Sequence, residues 1–245
     1  MTAQDTFNPE LFGKLKIAEQ NHFWFVVRRN LILDRIKKHL NRGASFLEIG
    51  CGTGNVSSFI SAHGYRVTGC EYFTPALSLS WPGFQKVQGS AFELPFLNES
   101  FDAVGLFDVL EHFEHDAQAL AEAVRVTREH GVILISVPAR KELWSSFDDF
   151  SSHKRRYHRA DLKMLLDRAG LVTTSMEYLF MTLYLPAIVA RRAEVQDPFS
   201  IGKIANSVFR NICEVERHIS KVLPMPFGTS ILAISHKRSP REDHR

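Results

Sequence analysis

Phe46-Leu-Glu-Ile-Gly-Cys-Gly-Thr-Gly-Asn55 decides how this chain is read. The apolar run from Ala44 to Ile49 holds one carboxylate, Glu48, and ends in glycines at 50, 52 and 54. A short apolar run closed by glycine reads as a buried strand. Glycines at alternate positions let the backbone turn sharply into a helix and come close to a ligand. The helix expected next, Asn55 to His63, is ended by Gly64.

Outward from that loop, strands and helices alternate. Tyr65 to Cys70, Phe84 to Gln88 and Phe101 to Phe107 read as the second, third and fourth strands. Asp116 to His130 predicts a helix with Leu120, Val124 and Thr127 on one face and Gly131 as its C-cap. The β-branched run Val132 to Val137, stopped by Pro138, is a fifth strand. Asp161 to Ala169 is a helix, Leu171 to Leu179 a sixth strand and Ser230 to Ser235 a seventh. Upstream, residues 1–42 read as helical, with Ile32, Ile36 and Leu40 spaced by four and Asn41-Arg42-Gly43 as the stop. This alternation predicts an α/β fold with a mostly parallel sheet. The 245 residues show no internal repeat and are read as one domain. Its parts are a helical cap over 1–42, a core over 43–179, a helical lid insertion over 180–227, a final strand over 228–236 and a charged tail over 237–245. The insertion reads as a short apolar helix and a longer amphipathic one from about Ile201 to Val222.

The glycine spacing is not the G-x-G-x-x-G of nicotinamide and flavin sites. Counted from Gly50 the third glycine falls on Asn55, and from Gly52 on Ser57. A pyrophosphate would also be repelled by Glu48, whereas the sulfonium and ammonium of S-adenosylmethionine suit a carboxylate. Over roughly residues 20–180 the chain resembles the class I S-adenosylmethionine-dependent methyltransferases at five ordered places. These are Glu48-Ile-Gly-Cys-Gly-Thr-Gly54, Glu71-Tyr72, Gln88-Gly-Ser-Ala-Phe-Glu-Leu-Pro-Phe96, Phe101-Asp-Ala-Val-Gly-Leu-Phe-Asp-Val-Leu-Glu-His-Phe113 and Gly131-Val-Ile-Leu-Ile-Ser-Val-Pro138. The resemblance implies a Rossmann-like, doubly wound sheet of seven strands, six parallel and the last hairpin strand antiparallel. It implies S-adenosylmethionine as cofactor, framed by Glu48, Gly50, Cys51, Gly52 and Gly54. Glu71 would hold the ribose hydroxyls and Tyr72 would pack on the adenine. Ser90, where Asp is common, and Ala91 would meet the adenine edge, and Phe107, Asp108 and Val109 would line the cofactor.

Two outlying segments resemble a bacterial subset of that family. In His22-Phe-Trp-Phe-Val-Val-Arg28, Trp24 is expected at the substrate and Arg28, or alternatively Arg29, at the cofactor's methionine carboxylate. In Trp144-Ser-Ser-Phe-Asp-Asp-Phe-Ser-Ser-His-Lys-Arg-Arg-Tyr157, Arg155 and Arg156 are expected to read the substrate. Lys154, Arg155, Arg156 and Arg159 suit an anionic group, or else pair with Asp148, Asp149 and Asp161. Asp108, Glu111 and His112 form D-x-x-E-H, residues that share a helix face if the segment is helical. Related E-x-x-E-H sets hold a divalent metal, and His153 would be a fourth ligand here, but the metal-free reading is preferred. His112, with His153 and Tyr157 as further candidates, is the expected proton acceptor, although positioning alone supplies much of the rate of an in-line methyl transfer.

Composition narrows the function classes. Hydrophobic residues are 44% and charged residues 23%, with a net charge of +3, which excludes a disordered chain and argues against a nucleic-acid coat. Cysteines 51, 70 and 213 have no metal or disulfide spacing, and the amino terminus lacks an apolar leader, so a cytoplasmic protein is expected. The apolar, uncharged run Tyr178 to Ala190 is too short to span a membrane, which takes about 20 residues, but suits its surface. Of 19 phenylalanines, Phe23, Phe25, Phe92, Phe147, Phe150 and Phe180 are expected to ring a pocket. Together these predict a methyltransferase acting on an O or N atom of a small-molecule or conjugated acceptor, partly apolar and partly anionic. The alternatives are a methyltransferase of lipid-linked or glycan substrates at a membrane surface, and a non-catalytic cofactor-binding regulatory module.

Overall fold

The computed structural model describes residues 11–191 and 201–238. Expectations for residues 1–10 and most of the charged tail lie outside the described residues. Two helices, α1 (Leu11–Asn21) and α2 (Phe23–His39), precede β1 (Ser45–Ile49) and α3 (Asn55–Ser61). Then come β2 (Arg66–Glu71), α4 (Thr74–Ser78), β3 (Gln85–Gln88), β4 (Phe101–Phe107), α5 (Asp116–Val126) and β5 (Thr127–Pro138). The chain ends with α6 (Ser146–Phe150), α7 (Arg159–Arg168), β6 (Leu171–Leu179), α8 (Tyr184–Ala190), α9 (Lys203–Ile219) and β7 (Ser230–Lys237).

The seven strands lie in the order β3-β2-β1-β4-β5-β7-β6. β7 runs antiparallel to both β5 and β6, and the other pairings are parallel, so the expected sheet is the one seen. Side chains alternate across it. Leu47, Ile49, Val104, Leu106, Ile133 and Ile135 face Leu120 and Ala123 of α5 and Leu162 and Leu166 of α7. Phe46, Ala103, Phe107, Val132 and Leu134 face Ile32 and Ile36 of α2 and Val56 and Ile60 of α3. Strands apolar on both faces are what a parallel sheet between two helical layers requires.

Many ends differ from expectation by one to three residues, and one boundary differs more. The helix predicted to His130 stops at Val126, and Thr127 already pairs with Phe101 in the sheet. Thr127 is buried and β-branched, and its hydroxyl donates to the Ala123 carbonyl at 2.6 Å, closing the helix there. Gly131 is therefore not a C-cap. A Cβ on it would lie 2.6 Å from the Thr127 methyl and 3.0 Å from the Asp102 carbonyl, so its missing side chain lets the strands close around a bulge. The short helices α4 and α6 were also not expected from periodicity.

The described part of the 180–227 stretch divides in two. Leu183 and Ala187, around α8, reach a cavity described below. α9 instead lies along α2 through a polar seam. Asn206 accepts from the Phe23 amide at 2.8 Å, Asn30 donates to Glu214 at 2.8 Å, and Arg217 pairs with Asp34. Its apolar residues Ile204, Val208, Ile212, Val215 and Ile219 are exposed.

Gly105 sits mid-β4, where a Cβ would come within 2.6 Å of the Phe107 ring and 2.9 Å of the Phe46 ring. Overpacking of this kind costs about 1–3 kcal/mol. Gly105→Ala is expected to lower Tm by about 2–10 °C; an unchanged thermal melt would mean the two rings shift without cost.

Candidate functional site

The chain turns from β1 toward β2 and β3, and later from β4 toward β5. Ligands in open α/β sheets bind where the strand order reverses, beyond the carboxyl ends of the strands. A cavity of about 590 Å³ opens there, reached by the ends of β1, β2 and β4, by α1 and α2, and by the loop before α7.

The first wall is the glycine turn. Gly50, Gly52 and Gly54 all have positive φ, at 66°, 55° and 75°. At Gly50 a Cβ would also strike the Val109 side chain at 2.7 Å, so glycine is required twice over. Among the described residues, apart from its chain neighbours, nothing lies within 4 Å of the place a Gly52 Cβ would take, which leaves backbone open to the cavity. Gly54 does not line the cavity. Its missing side chain is filled by the Phe84 ring, 2.2 Å from a Cβ, and it serves packing.

Carboxyl groups crowd this wall. Glu48 is buried and accepts from Ser57 Oγ at 2.5 Å, and burial pushes its pKa up to about 7. Glu71 accepts from the Gly52 and Phe73 amides at 2.8 and 2.9 Å, and burial raises its pKa as well. Sequence reasoning missed Glu19. From α1 it accepts a hydrogen bond from Thr53 and one from Trp81 Nε1 at 2.8 Å, and burial raises its pKa. No motif announces Glu19. The only available signal was a lone acid on a helix otherwise expected to be a cap. Cys51 lines the cavity as a thiol, its pKa pushed up by burial.

Opposite lie Phe107, Asp108 and Val109, with Arg28 from α2. Arg28 Nε pairs with Asp108 Oδ2 at 2.5 Å and its Nη2 donates to the Phe107 carbonyl at 2.7 Å. Arg29 instead faces the Phe59 ring at 4.7 Å and does not reach the cavity. Tyr72 and Ala91 line the cavity, and so does Trp24. Ser90 does not. Its hydroxyl accepts from the Phe92 amide at 3.1 Å. The aromatic lining is Phe12, Phe23, Phe25, Phe73, Phe113 and Phe147 in addition to Phe107. Of the rings expected there, Phe92, Phe150 and Phe180 are elsewhere, Phe180 beneath Trp24 in a separate apolar cluster.

The far wall is Glu111, His112 and His153. D-x-x-E-H does not form one helical face. Asp108 has φ 56° and only Leu110–His112 makes a 3-10 turn. Asp108 is taken up by Arg28 and by Ser136 Oγ at 3.0 Å, so it does not join the expected metal set. Burial and the neighbouring His153 push His112 down to about 3, which keeps it neutral and makes it a weak base. His153 Nδ1 bonds Asp148 Oδ1 at 2.8 Å. Burial works to raise Asp148, but its bonds to His153 and Arg156 outweigh this and hold it at about 2.

The expected cationic corner is spent internally. Arg156 forks onto Asp148 at 2.7 and 3.0 Å, and Arg155 bonds Asp116 at 3.1 Å outside the cavity. Arg159 donates to the Met176 carbonyl. Tyr157 is also outside, buried, with its hydroxyl donating to Asp116 at 2.7 Å. Burial, then Asp116, raises its pKa. It ties the loop to the 3-10 turn and does not face the cavity.

Residues 47–135 match the family model described as "Methyltransferase domain". The "Probable S-adenosylmethionine-dependent methyltransferase" of Mycolicibacterium smegmatis is 33% identical over 159 residues, 63% of this chain and 61% of that protein. The chain thus spans less than two thirds of that relative. Among solved structures, a chain from the complex of the Haloferax volcanii Trm112 methyltransferase activator with a methyltransferase superposes with a TM-score of 0.66. Its identity is 16%, covering 94% of this chain and 95% of that one. A methyltransferase from Thermotoga maritima gives 0.62 at 19% identity, covering 93% and 98%. At such identities these two speak to the fold alone.

Glu48 is easier to ionise unfolded than folded. Its burial therefore favours the fold fully below about 4.5, and that contribution is lost as pH rises through about 7. Glu48→Gln, neutral throughout, is expected to gain Tm relative to wild type as pH rises from about 4.5 to about 7. A gap that stays constant over that range would show that Glu48 is not the titrating group.

Proposed function

We propose that the chain is a class I S-adenosylmethionine-dependent methyltransferase that transfers a methyl group to an O or N atom of an apolar small-molecule or conjugated acceptor; the match of residues 47–135 to a methyltransferase domain supports this reading. The observation that carries this reading is the pairing, in one cavity, of buried Glu48 and Glu71 around open glycine backbone with an aromatic wall opposite. A cavity walled by carboxyls favours a cationic ligand, and the cradle at Gly52 leaves room for one, so the residues present fit S-adenosylmethionine.

In this reading Glu71, already fixed by two backbone amides, accepts the two ribose hydroxyls, a geometry that a carboxylate suits. Tyr72 packs on the adenine. With Ser90 turned to the Phe92 amide, Ala91 takes the adenine edge. Glu48 faces the ammonium, Arg28 the methionine carboxylate, and Gly50, Cys51, Asp108 and Val109 close the walls. When bound, the cofactor supplies a methyl on a sulfonium, itself a good leaving group. The protein's task is then to hold the acceptor atom in line with that methyl and keep water out. Trp24, Phe25, Phe113 and Phe147 supply the dry side. Glu111, His112 and His153 form the polar end, where the acceptor atom and its departing proton are placed. Arg155 and Arg156 are paired with Asp116 and Asp148 and do not face this cavity as free cations.

A second reading, a lipid-linked or glycan acceptor at a membrane surface, is favoured by one observation. Leu185 and Val189 on α8 and the apolar stripe on α9 are exposed. Among the described residues no helix is long and apolar enough to cross a membrane.

Equilibrium binding tests the central claim. Glu71→Ala is expected to weaken S-adenosylmethionine binding by about tenfold or more, since two hydroxyl bonds to a charged group are lost. Equal affinity in both proteins would remove Glu71 from the site and the reading with it.

A further inference from the structure

One group of side chains at the cavity is answered neither by the cofactor nor by an apolar acceptor. Glu111 is fully buried and lines the cavity, yet neither of its carboxylate oxygens makes a hydrogen bond among the described residues. Burying such a group without a partner is costly. The nearby cations do not supply one. Arg28 is bound to Asp108 and Arg156 to Asp148. A carboxyl placed this way on a cavity wall calls for a partner that arrives through the cavity.

Its neighbours indicate what kind. Ligating atoms of Glu111, His112 and His153 all lie within 4.8 Å of one another. The two imidazole rings stand edge to face, with centroids 4.8 Å apart. They come from distant segments, which are joined by the Lys154 amide donating to the Glu111 carbonyl at 2.7 Å. His153 is oriented from behind. Asp148 holds Nδ1, which assigns Nε2 as the ligating atom, and Asp148 is itself fixed by Arg156 and by the Ser145 amide at 2.9 Å. A carboxylate behind an imidazole is how metal-ligating histidines are held in tautomer and direction.

We propose that Glu111, His112 and His153 form a divalent transition-metal site at the acceptor end of this cavity. Two imidazoles and a carboxylate are a donor set for borderline ions such as zinc, with remaining positions open to a ligand. A cation here gives Glu111 its missing partner. It also places a Lewis acid where, on the methyl-transfer reading above, an acceptor oxygen or nitrogen sits.

The test is calorimetric titration of chelator-stripped protein with zinc chloride, alongside S-adenosylmethionine binding on the same samples. One equivalent of zinc is expected to bind to wild type, weakened about tenfold or more in Glu111→Gln and in His153→Ala. Cobalt(II) in place of zinc should give the visible absorption of a low-coordinate ion in wild type, reduced in both variants. A wild type that takes up no zinc overturns the proposal, as does zinc affinity unchanged in both variants. If one variant fails to fold, the other and the cobalt spectrum decide. Cofactor binding without zinc uptake removes the metal site alone, and zinc uptake without cofactor binding removes the methyltransferase reading alone.

Discussion

A parallel strand covered on both faces has nowhere to present chemistry except its end. β1 and β4 are such strands, packed between α5 and α7 on one side and α2 and α3 on the other. Because the chain moves outward from β1 in one direction and returns through β4 in the other, their carboxyl ends part into a crevice. Every polar group that matters reaches the cavity from one of those ends or from a segment laid over it. Glu48 and the glycines come from β1, Glu71 from β2, and Asp108 and the Glu111 turn from β4.

The charge balance around that crevice is lopsided. Glu19, Glu48, Glu71 and Glu111 are all pushed upward in pKa by burial, while Arg28 and Arg156 are neutralised by Asp108 and Asp148. The cavity therefore has acids whose charge is waiting for compensation and bases whose charge is already compensated. Such an arrangement disfavours the ligand-free fold near neutral pH and rewards whatever brings positive charge in. It is the reverse of the anion-reading corner that the Lys154–Arg159 run suggests.

The sheet was legible because its determinants are local: glycine spacing, β-branched runs and strand length. The Asp116–Val126 helix was overextended because Thr127 is decided by burial against β4, a contact that no window of sequence contains. The glycine turn, Glu71 and the Phe107–Val109 segment were legible because their roles are tied to a spacing. The roles of Arg155 and Tyr157 were not, since both are settled by Asp116, some forty residues away in the chain. Glu19 has ordinary neighbours in sequence and Glu111 is marked there only by the D-x-x-E-H pattern; the packed structure shows both carboxyls enclosed at one cavity.

The seam between α2 and α9 has a consequence for how the protein can come apart. A helix held by its oily side slides and repacks at little cost, because apolar contact is non-directional. α9 is held by Asn206, Glu214, Arg217 and Glu216, whose bonds have fixed partners and angles. Its register along α2 is therefore keyed by these fixed partners, in addition to the apolar contact of Phe209 and Cys213. Opening it would exchange those bonds for water and uncover the Phe209 and Cys213 contacts with Phe23, Val27 and Leu31, while the outward apolar stripe, already wet, would not change.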